Sequence, residues 1–368
     1  MKASAVNSRL LVCLLILGSL VLGGCDSGPS GPQEQDSDSG FNLENCTIPA
    51  DRLVDGGVGK DGIPALTNPP LVDPSAGTAQ YLADTSRVIG LLVGDTSLAV
   101  PHNILWHHEI INFNDRLGRT FAVTYCPLTG SSLAFDREGV DGAEFGVSGL
   151  LFNNNLVMYD RRNKESLWPQ MNRQANCGVA TGTTLETIPV VEMRWSRWRS
   201  LHPDTKVVSS QTGYARDYRP SAYPYGGYER LNSDPLFQMP VDDRRPPKER
   251  VLGIPVGDDG GVALPFGALD DGSAVRVVPV TAGGTQMTVF WSRKARGAMA
   301  FETSSTFSVE DGRIVDDATG SVWTVDGRAI EGPRAGDQLD PVDRAYVAFW
   351  FAWAGFQPET RLWTNSSG

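Results

Sequence analysis

The sequence predicts a mainly β fold with short helices, of the α+β kind, arranged as two tandem strand-rich units that are each closed by one helix. Runs rich in Val, Thr, Tyr and Phe, such as Val123-Thr-Tyr125 and Val289-Phe-Trp291, are separated by Gly and Asp turns, as short strands are. A set of motifs also recurs in one order along the chain. Near the end of each set, an aromatic stripe at helical spacing stops at a proline.

The N-terminus reads as an export signal over residues 1–24. Lys2 and Arg9 precede a largely apolar run from Leu10 to Leu22, and Gly23, Gly24 and Cys25 follow. The run is shorter than the roughly 20 apolar residues that a bilayer span needs. The junction Leu22-Gly-Gly-Cys25 resembles the lipobox of bacterial lipoproteins, in which the cysteine thiol takes up diacylglycerol. Cys25 is thus the expected lipidation site, and two or more acyl chains make a stable anchor. Asp26 resembles the signal that keeps such proteins at the inner membrane of Gram-negative bacteria. The expected location is the cell envelope, lipid-anchored on the extracytoplasmic face, which in a Gram-negative host is the inner membrane facing the periplasm. Residues 25–45 are Ser, Gly, Pro, Asp and Gln with little that is apolar, which suits a flexible tether.

The chain carries 32 Lys and Arg against 43 Asp and Glu, a net charge of −11, and loss of Lys2 and Arg9 with the signal peptide makes it −13. Such an anionic chain, read as lacking a basic cluster, argues against nucleic acid and against a polybasic membrane patch. Beyond the anchor stand Cys46, Cys126 and Cys177, an odd number, and four histidines, His102, His107, His108 and His202. No C-x-x-C pair occurs, so a structural zinc site is not expected.

The repeated motifs divide the rest. Arg87-Val-Ile-Gly90 and Leu98-Ala-Val-Pro101 return as Arg250-Val-Leu-Gly253 and Ala263-Leu-Pro265. Val123-Thr-Tyr125 and Leu133-Ala-Phe135 return at one constant offset as Val289-Phe-Trp291 and Met299-Ala-Phe301. Trp195, Trp198 and Leu201-His-Pro-Asp-Thr205 match Trp350, Trp353 and Phe356-Gln-Pro-Glu-Thr360. The first unit is placed at 46–212, a Tyr- and Pro-rich connector at 213–249, and the second unit at 250–368. With five tyrosines between Tyr214 and Tyr228, the connector is too aromatic for a free linker.

The duplication acts as a filter for chemistry, because reactive side chains present in one unit only are not demanded by the fold. The first unit has Trp106-His-His-Glu109 and Asn112 where the second has Asp270-Asp271, Cys126 where the second has Ser292, and Gln170 where the second has Val325. The first unit is therefore the candidate active half and the second a scaffold, with no pocket expected around Asp270 and Ser292. Asn103 to Asn112 reads as a short helix, with His102 or Asn103 as cap, that turns His108 inward with Glu109 beside it. Cys126 leaves a strand for the turn Pro127-Leu-Thr-Gly-Ser-Ser132, which can hold a thiol at a cleft edge. The bland alternative is a His108–Glu109 core pair with Cys126 as a small buried hydrophobe.

Several long motifs together resemble one known family. They are Trp106-His-His-Glu-Ile-Ile-Asn112, Val123-Thr-Tyr-Cys-Pro-Leu-Thr-Gly130, Phe145-Gly-Val-Ser-Gly-Leu-Leu151, Met158-Tyr-Asp-Arg161, Ser166-Leu-Trp-Pro-Gln170, His202-Pro-Asp-Thr205 and Pro247-Lys-Glu-Arg-Val-Leu-Gly253. From about Asp61 to Trp363 the chain resembles domain of unknown function 3179. The resemblance implies no activity. It does imply a second cysteine in the turn, where this chain has Thr129, which speaks against dithiol chemistry. Because Cys126 lies within the family motif and Cys46 and Cys177 do not, the resemblance makes the latter two the expected disulfide partners.

Three function classes follow. The first is a metal site, best suited to copper, in which His108 and Cys126 are joined by Met158 or Glu109, since thiolate and thioether select Cu(I). The second is a thiol enzyme with Cys126 as nucleophile, His108 as base, Glu109 as orienter, and Thr129 or Ser131 lining the turn. Asn112 and Gln170 are supporting polar groups in both. The third is a module that binds a glycan or a partner protein through the tyrosines of the connector and Trp106. Nucleotide-binding loops are absent, and Gly146-Val-Ser-Gly149 misses the hydrolase elbow by one residue, so Ser148 is read as a strand-turn residue.

Overall fold

In the strand Arg119–Cys126, Phe121, Val123 and Tyr125 enter one apolar core while Ala122 and Cys126 enter another, as the two-residue period of their sequence dictates. A sheet buried on both faces results, and it sets which side chains can meet. The computed structural model describes residues 40–41, 43, 45–257 and 260–365. The expected signal peptide, the expected lipidation site Cys25 and most of the expected tether lie outside the described residues. No helix among the described residues is long and apolar enough to cross a membrane.

The chain is mostly strand, as its composition of runs and turns requires. The first half comprises β1 (Arg87–Val93), β2 (Thr96–Pro101), α1 (His102–His108) and a meander of β3 (Ile110–Arg116), β4 (Arg119–Cys126) and β5 (Ser131–Asp136). The hairpin of β6 (Phe145–Phe152) and β7 (Asn155–Asp160) follows, then β8 (Val191–Arg194), α2 (Trp195–Leu201) and β9 (Lys206–Val208). The second half comprises β10 (Arg250–Val256), β11 (Gly260–Pro265), α3 (Phe266–Leu269), and the meander β12 (Val275–Ala282), β13 (Thr285–Ser292) and β14 (Gly297–Glu302). It ends with β15 (Tyr346–Phe349), α4 (Trp350–Phe356) and β16 (Glu359–Leu362).

The halves pair their strands alike. β8 runs antiparallel to β1, β1 antiparallel to β2, and β9 parallel to β2; β15, β10, β11 and β16 repeat those senses. Glycine is required where each helix crosses its sheet. A Cβ on Gly90 would lie 2.2 Å from the Trp198 ring, and one on Gly253 would lie 2.1 Å from the Trp353 ring. Each indole N–H then donates to a threonine hydroxyl, Trp198 to Thr205 and Trp353 to Thr360, both at 2.9 Å.

The sequence suggested a helix from Asn103 to Asn112, but α1 stops at His108. The apolar alternation of Ile111 and Phe113 wins instead, and β3 pairs with β4 in register Ile110↔Thr124 and Ile111↔Val123. Asn103 does not cap α1; its amide donates to the carbonyl of Tyr218 at 2.8 Å. Cys46 and Cys177 are bridged, with Cα atoms 4.1 Å apart, as expected from their standing outside the Cys126 motif. The connector contains one short 3-10 turn, Pro220–Ala222, and is held down by bonds such as Asn154 to the Phe237 carbonyl at 2.9 Å.

Candidate functional site

Helix α1 ends at Glu109, whose φ of 56° and ψ of −34° are rarely adopted by a residue with a side chain. On one side of this kink stands His108, on the other Glu109. The His108 Nδ1 lies 2.8 Å from the carbonyl of Pro64, which can only accept, so Nδ1 carries the proton. Burial holds its pKa down to about 4, so the ring is neutral and Nε2 accepts from the Tyr218 hydroxyl at 2.7 Å. Both nitrogens are committed, and Tyr218 belongs to the core that receives Tyr125, not Cys126.

Cys126 lies on the opposite face of β4. Its sulfur accepts from the Leu156 N–H at 3.3 Å and lies 3.8 Å from the Asn154 carbonyl. The expected His108–Cys126 pair is therefore not formed, because alternation along β4 and the bonds of the imidazole send the two groups apart. The copper set fails with it. Met158 is a fully buried strand residue of β7, opposite Trp168. Among the described residues no three His, Cys, Asp or Glu side chains gather to hold a metal ion. Asn112 is likewise structural: its amide donates to the Phe145 carbonyl at 2.8 Å and its carbonyl accepts the Phe145 N–H at 2.9 Å.

Different groups surround the thiol. The Glu109 carboxyl is buried, has no hydrogen-bond partner among the described residues, and is pushed up to about 8 by burial. Burial, then the neighbouring Glu109, lifts the Cys126 thiol to about 11, against the opposing pull of Thr129 and the Leu156 N–H. Lys248, only 2% exposed, sets its Nζ 3.4 Å from the centre of the Tyr228 ring and 4.3 Å from that of Phe351. That Nζ has no hydrogen-bond partner, and burial brings it down to about 7 although Cys126, Glu229 and Asp234 act the other way. Tyr225 and Tyr228 cover the cluster. Tyr228 donates to the Leu128 carbonyl at 2.9 Å, and both tyrosines pack against the core that holds Cys126.

A buried polar network braces the turn that follows Cys126. The Asn155 amide donates to the Thr129 hydroxyl at 3.0 Å and to the Gln170 side-chain carbonyl at 2.9 Å. The Gln170 amide reaches the Thr124 hydroxyl at 2.8 Å, and Thr129 and Ser131 hydroxyls lie 2.8 Å apart. Thr129 and Gln170 are both members of this network. Gly130 has φ 60°, and a Cβ there would lie 2.8 Å from the Phe349 ring, so the second half packs directly on this turn.

A sequence model described as protein of unknown function, domain of unknown function 3179, matches residues 60–360. The chain belongs to this family. No curated protein matches the chain, and no solved structure does. The family match spans both halves and the connector, and so includes every member of the thiol cluster: Glu109, Cys126, Tyr225, Tyr228 and Lys248.

In this member of the family Lys248 was not singled out from the sequence, and Tyr225 and Tyr228 were placed with Trp106 in a binding platform and not beside the thiol. The signals were present, since Lys248 sits inside the Pro247-Lys-Glu-Arg motif and the tyrosines make the connector unusually aromatic. No pocket was expected around Asp270 and Ser292. A concavity of about 660 Å³ opens beside Asp270, lined by Arg194, Arg293, Lys294 and Arg296. The expectation of no basic cluster falls with it, since Arg293-Lys-Ala-Arg296 is contiguous and Arg194 joins it in space.

Proposed function

We propose that this chain is an exported, lipid-anchored thiol enzyme in which Cys126 attacks an acyl carbonyl, Lys248 takes the thiol proton, and Glu109 supplies a proton to the leaving group. The observation that carries this reading is Lys248. A buried ammonium without a hydrogen-bond partner costs stability, and groups held in that way concentrate at functional sites. A lysine near 7 is a competent base at neutral pH, and a carboxyl near 8 is still an acid there. The strained backbone at Glu109 adds a second cost with the same implication. Attack forms the S–C bond of a thioester and expels the protonated leaving group; water or an acceptor nucleophile then releases the acyl group. Thr129 and the Leu156 N–H, which face the sulfur, are placed to receive negative charge there. Substrate entry requires Tyr225 and Tyr228 to move aside, because the thiol is only 1% exposed.

The lipid anchor is supported by the Leu22-Gly-Gly-Cys25 junction, and export by the Cys46–Cys177 bridge, which suits an oxidising compartment. Acyl donors such as thioesters and aryl esters, applied to native protein with mass readout of the acyl group on Cys126, test the enzyme reading. Labelling of Cys126 that drops at least tenfold in Lys248→Met supports it. Native protein inert to every probe at neutral pH, with labelling only after unfolding, would sink it. Cys25→Ala tests the anchor separately: it should remove the acyl mass and the protein's place in the membrane fraction.

A further inference from the structure

The hairpin turn that carries the thiol in the first half has a counterpart with different chemistry. Cys126↔Ser131 closes the β4–β5 hairpin and Ser292↔Gly297 closes the β13–β14 hairpin, each over four residues. Where the first turn reads Pro127-Leu-Thr-Gly130, the second reads Arg293-Lys-Ala-Arg296. The backbone is the same at the last of these: Gly130 has φ 60° and Arg296 has φ 50°. Arginine there carries the backbone penalty that glycine avoids. The Arg296 guanidinium pairs with Asp270 and lies 5.6 Å from the centre of the Trp291 ring.

The turn is seated firmly. A Cβ on Gly297 would lie 2.6 Å from the Glu192 carbonyl, the Arg194 N–H donates to the Ala295 carbonyl at 2.8 Å, and the Arg293 N–H donates to Ala274 at 3.0 Å. Asp270 holds two of the guanidiniums, Arg293 at 3.2 Å and Arg296 more closely. Arg194 and Lys294 have no carboxylate within ion-pair distance among the described residues. The wall therefore presents four cations against one anion, on a chain whose net charge is −11.

We infer that this concavity binds a phosphate-type anion, with Asp270 fixing the Arg293 and Arg296 heads and Arg194 and Lys294 supplying uncompensated charge. Arginine forks match phosphate oxygens in pairs. The ligand is either a soluble phosphorylated compound or the headgroup of an anionic phospholipid. This inference uses none of the thiol-site residues and stands or falls independently of the proposed enzyme.

Full-length protein in neutral detergent micelles is titrated calorimetrically with inorganic phosphate and pyrophosphate. In a second arm, part of the detergent is replaced by phosphatidylglycerol or by phosphatidylcholine. Binding in the first arm identifies a soluble ligand, and binding only to phosphatidylglycerol identifies a headgroup. In either case Arg293→Ala/Lys294→Ala, which alters two exposed side chains, should weaken binding at least tenfold. Arg296→Gly should also weaken it several-fold while leaving the melting temperature unchanged or higher, an outcome that a purely structural arginine would not produce. No wild-type binding in either arm, or binding by the double variant equal to wild type, overturns the proposal.

Discussion

The turn after Cys126 and the turn after Ser292 share a backbone and differ in almost everything else. The thiol turn is sealed by Phe349 from the second half and by Tyr225 and Tyr228 from the connector, and it keeps its ionisable neighbours dry. The arginine turn borders an open concavity and is lined with solvated charge. Burial, not the path of the chain, decides which chemistry each turn can host. Behind a cover, Lys248 comes down to about 7 and Glu109 goes up to about 8.

Exchanging residues between the turns should expose that difference. Gly130→Arg puts the arginine turn's residue under Phe349, and combined overpacking and backbone strain should cost about 3–4 kcal/mol by chemical denaturation. A loss below about 1 kcal/mol would mean the cover is loose. Removing the bridge through Cys46→Ser with Cys177→Ser should cost roughly 2–5 kcal/mol. Hydrogen exchange should place that loss in the strand Ser166–Pro169 and at Cys177, both in the first half, while β15 and β16 keep their protection.

Lys248→Met should stabilise the fold by about 1–2 kcal/mol at pH 7, because an unpartnered buried amine is replaced by an isosteric apolar chain. Thiol labelling should fall in the same variant. Destabilisation would mean the ammonium's contacts with Tyr228 and Phe351 outweigh its desolvation.

The pH dependence has two limbs of opposite sign. Lys248 is lowered from 10.5 to about 7, so the unfolded chain binds more protons between those values and this group's contribution to stability rises with pH across that window. Glu109 is raised from 4.5 to about 8, so the folded chain binds more protons there and its contribution falls with pH between 4.5 and about 8. Labelling of Cys126 should therefore peak between about pH 7 and 8, where the amine is free and the carboxyl protonated. Cys126, Glu229 and Asp234 face the lysine, and Cys126 faces the glutamate. Lys248→Met should flatten the rising limb and Glu109→Gln the falling one; a profile following only the thiol's own ionisation near 11 would reject this assignment.

Much of the architecture was readable along the chain because it depends on near neighbours. The return of Arg87-Val-Ile-Gly90 as Arg250-Val-Leu-Gly253, the two aromatic stripes of Trp195 with Trp198 and Trp350 with Trp353, and the isolation of Cys126 from the other two cysteines follow from local period and from one motif matched against another. Cys126, Glu109, Thr129 and Gln170 could be picked out because the second half lacks them. What no local pattern determines is which face a side chain takes after a kink and what arrives from far along the chain to cover it. One strained residue at Glu109 separates it from His108, which Pro64 and Tyr218 claim. Lys248, 122 positions along from Cys126, packs on Tyr228 and Phe351, which line the core that holds the thiol, and Arg194 completes a basic wall begun at Arg293. Desolvation and convergence of charge are sums over neighbours in space, so the protonation of Lys248 and Glu109, and the identity of both sites, were decided only when the connector and the second half folded against the first.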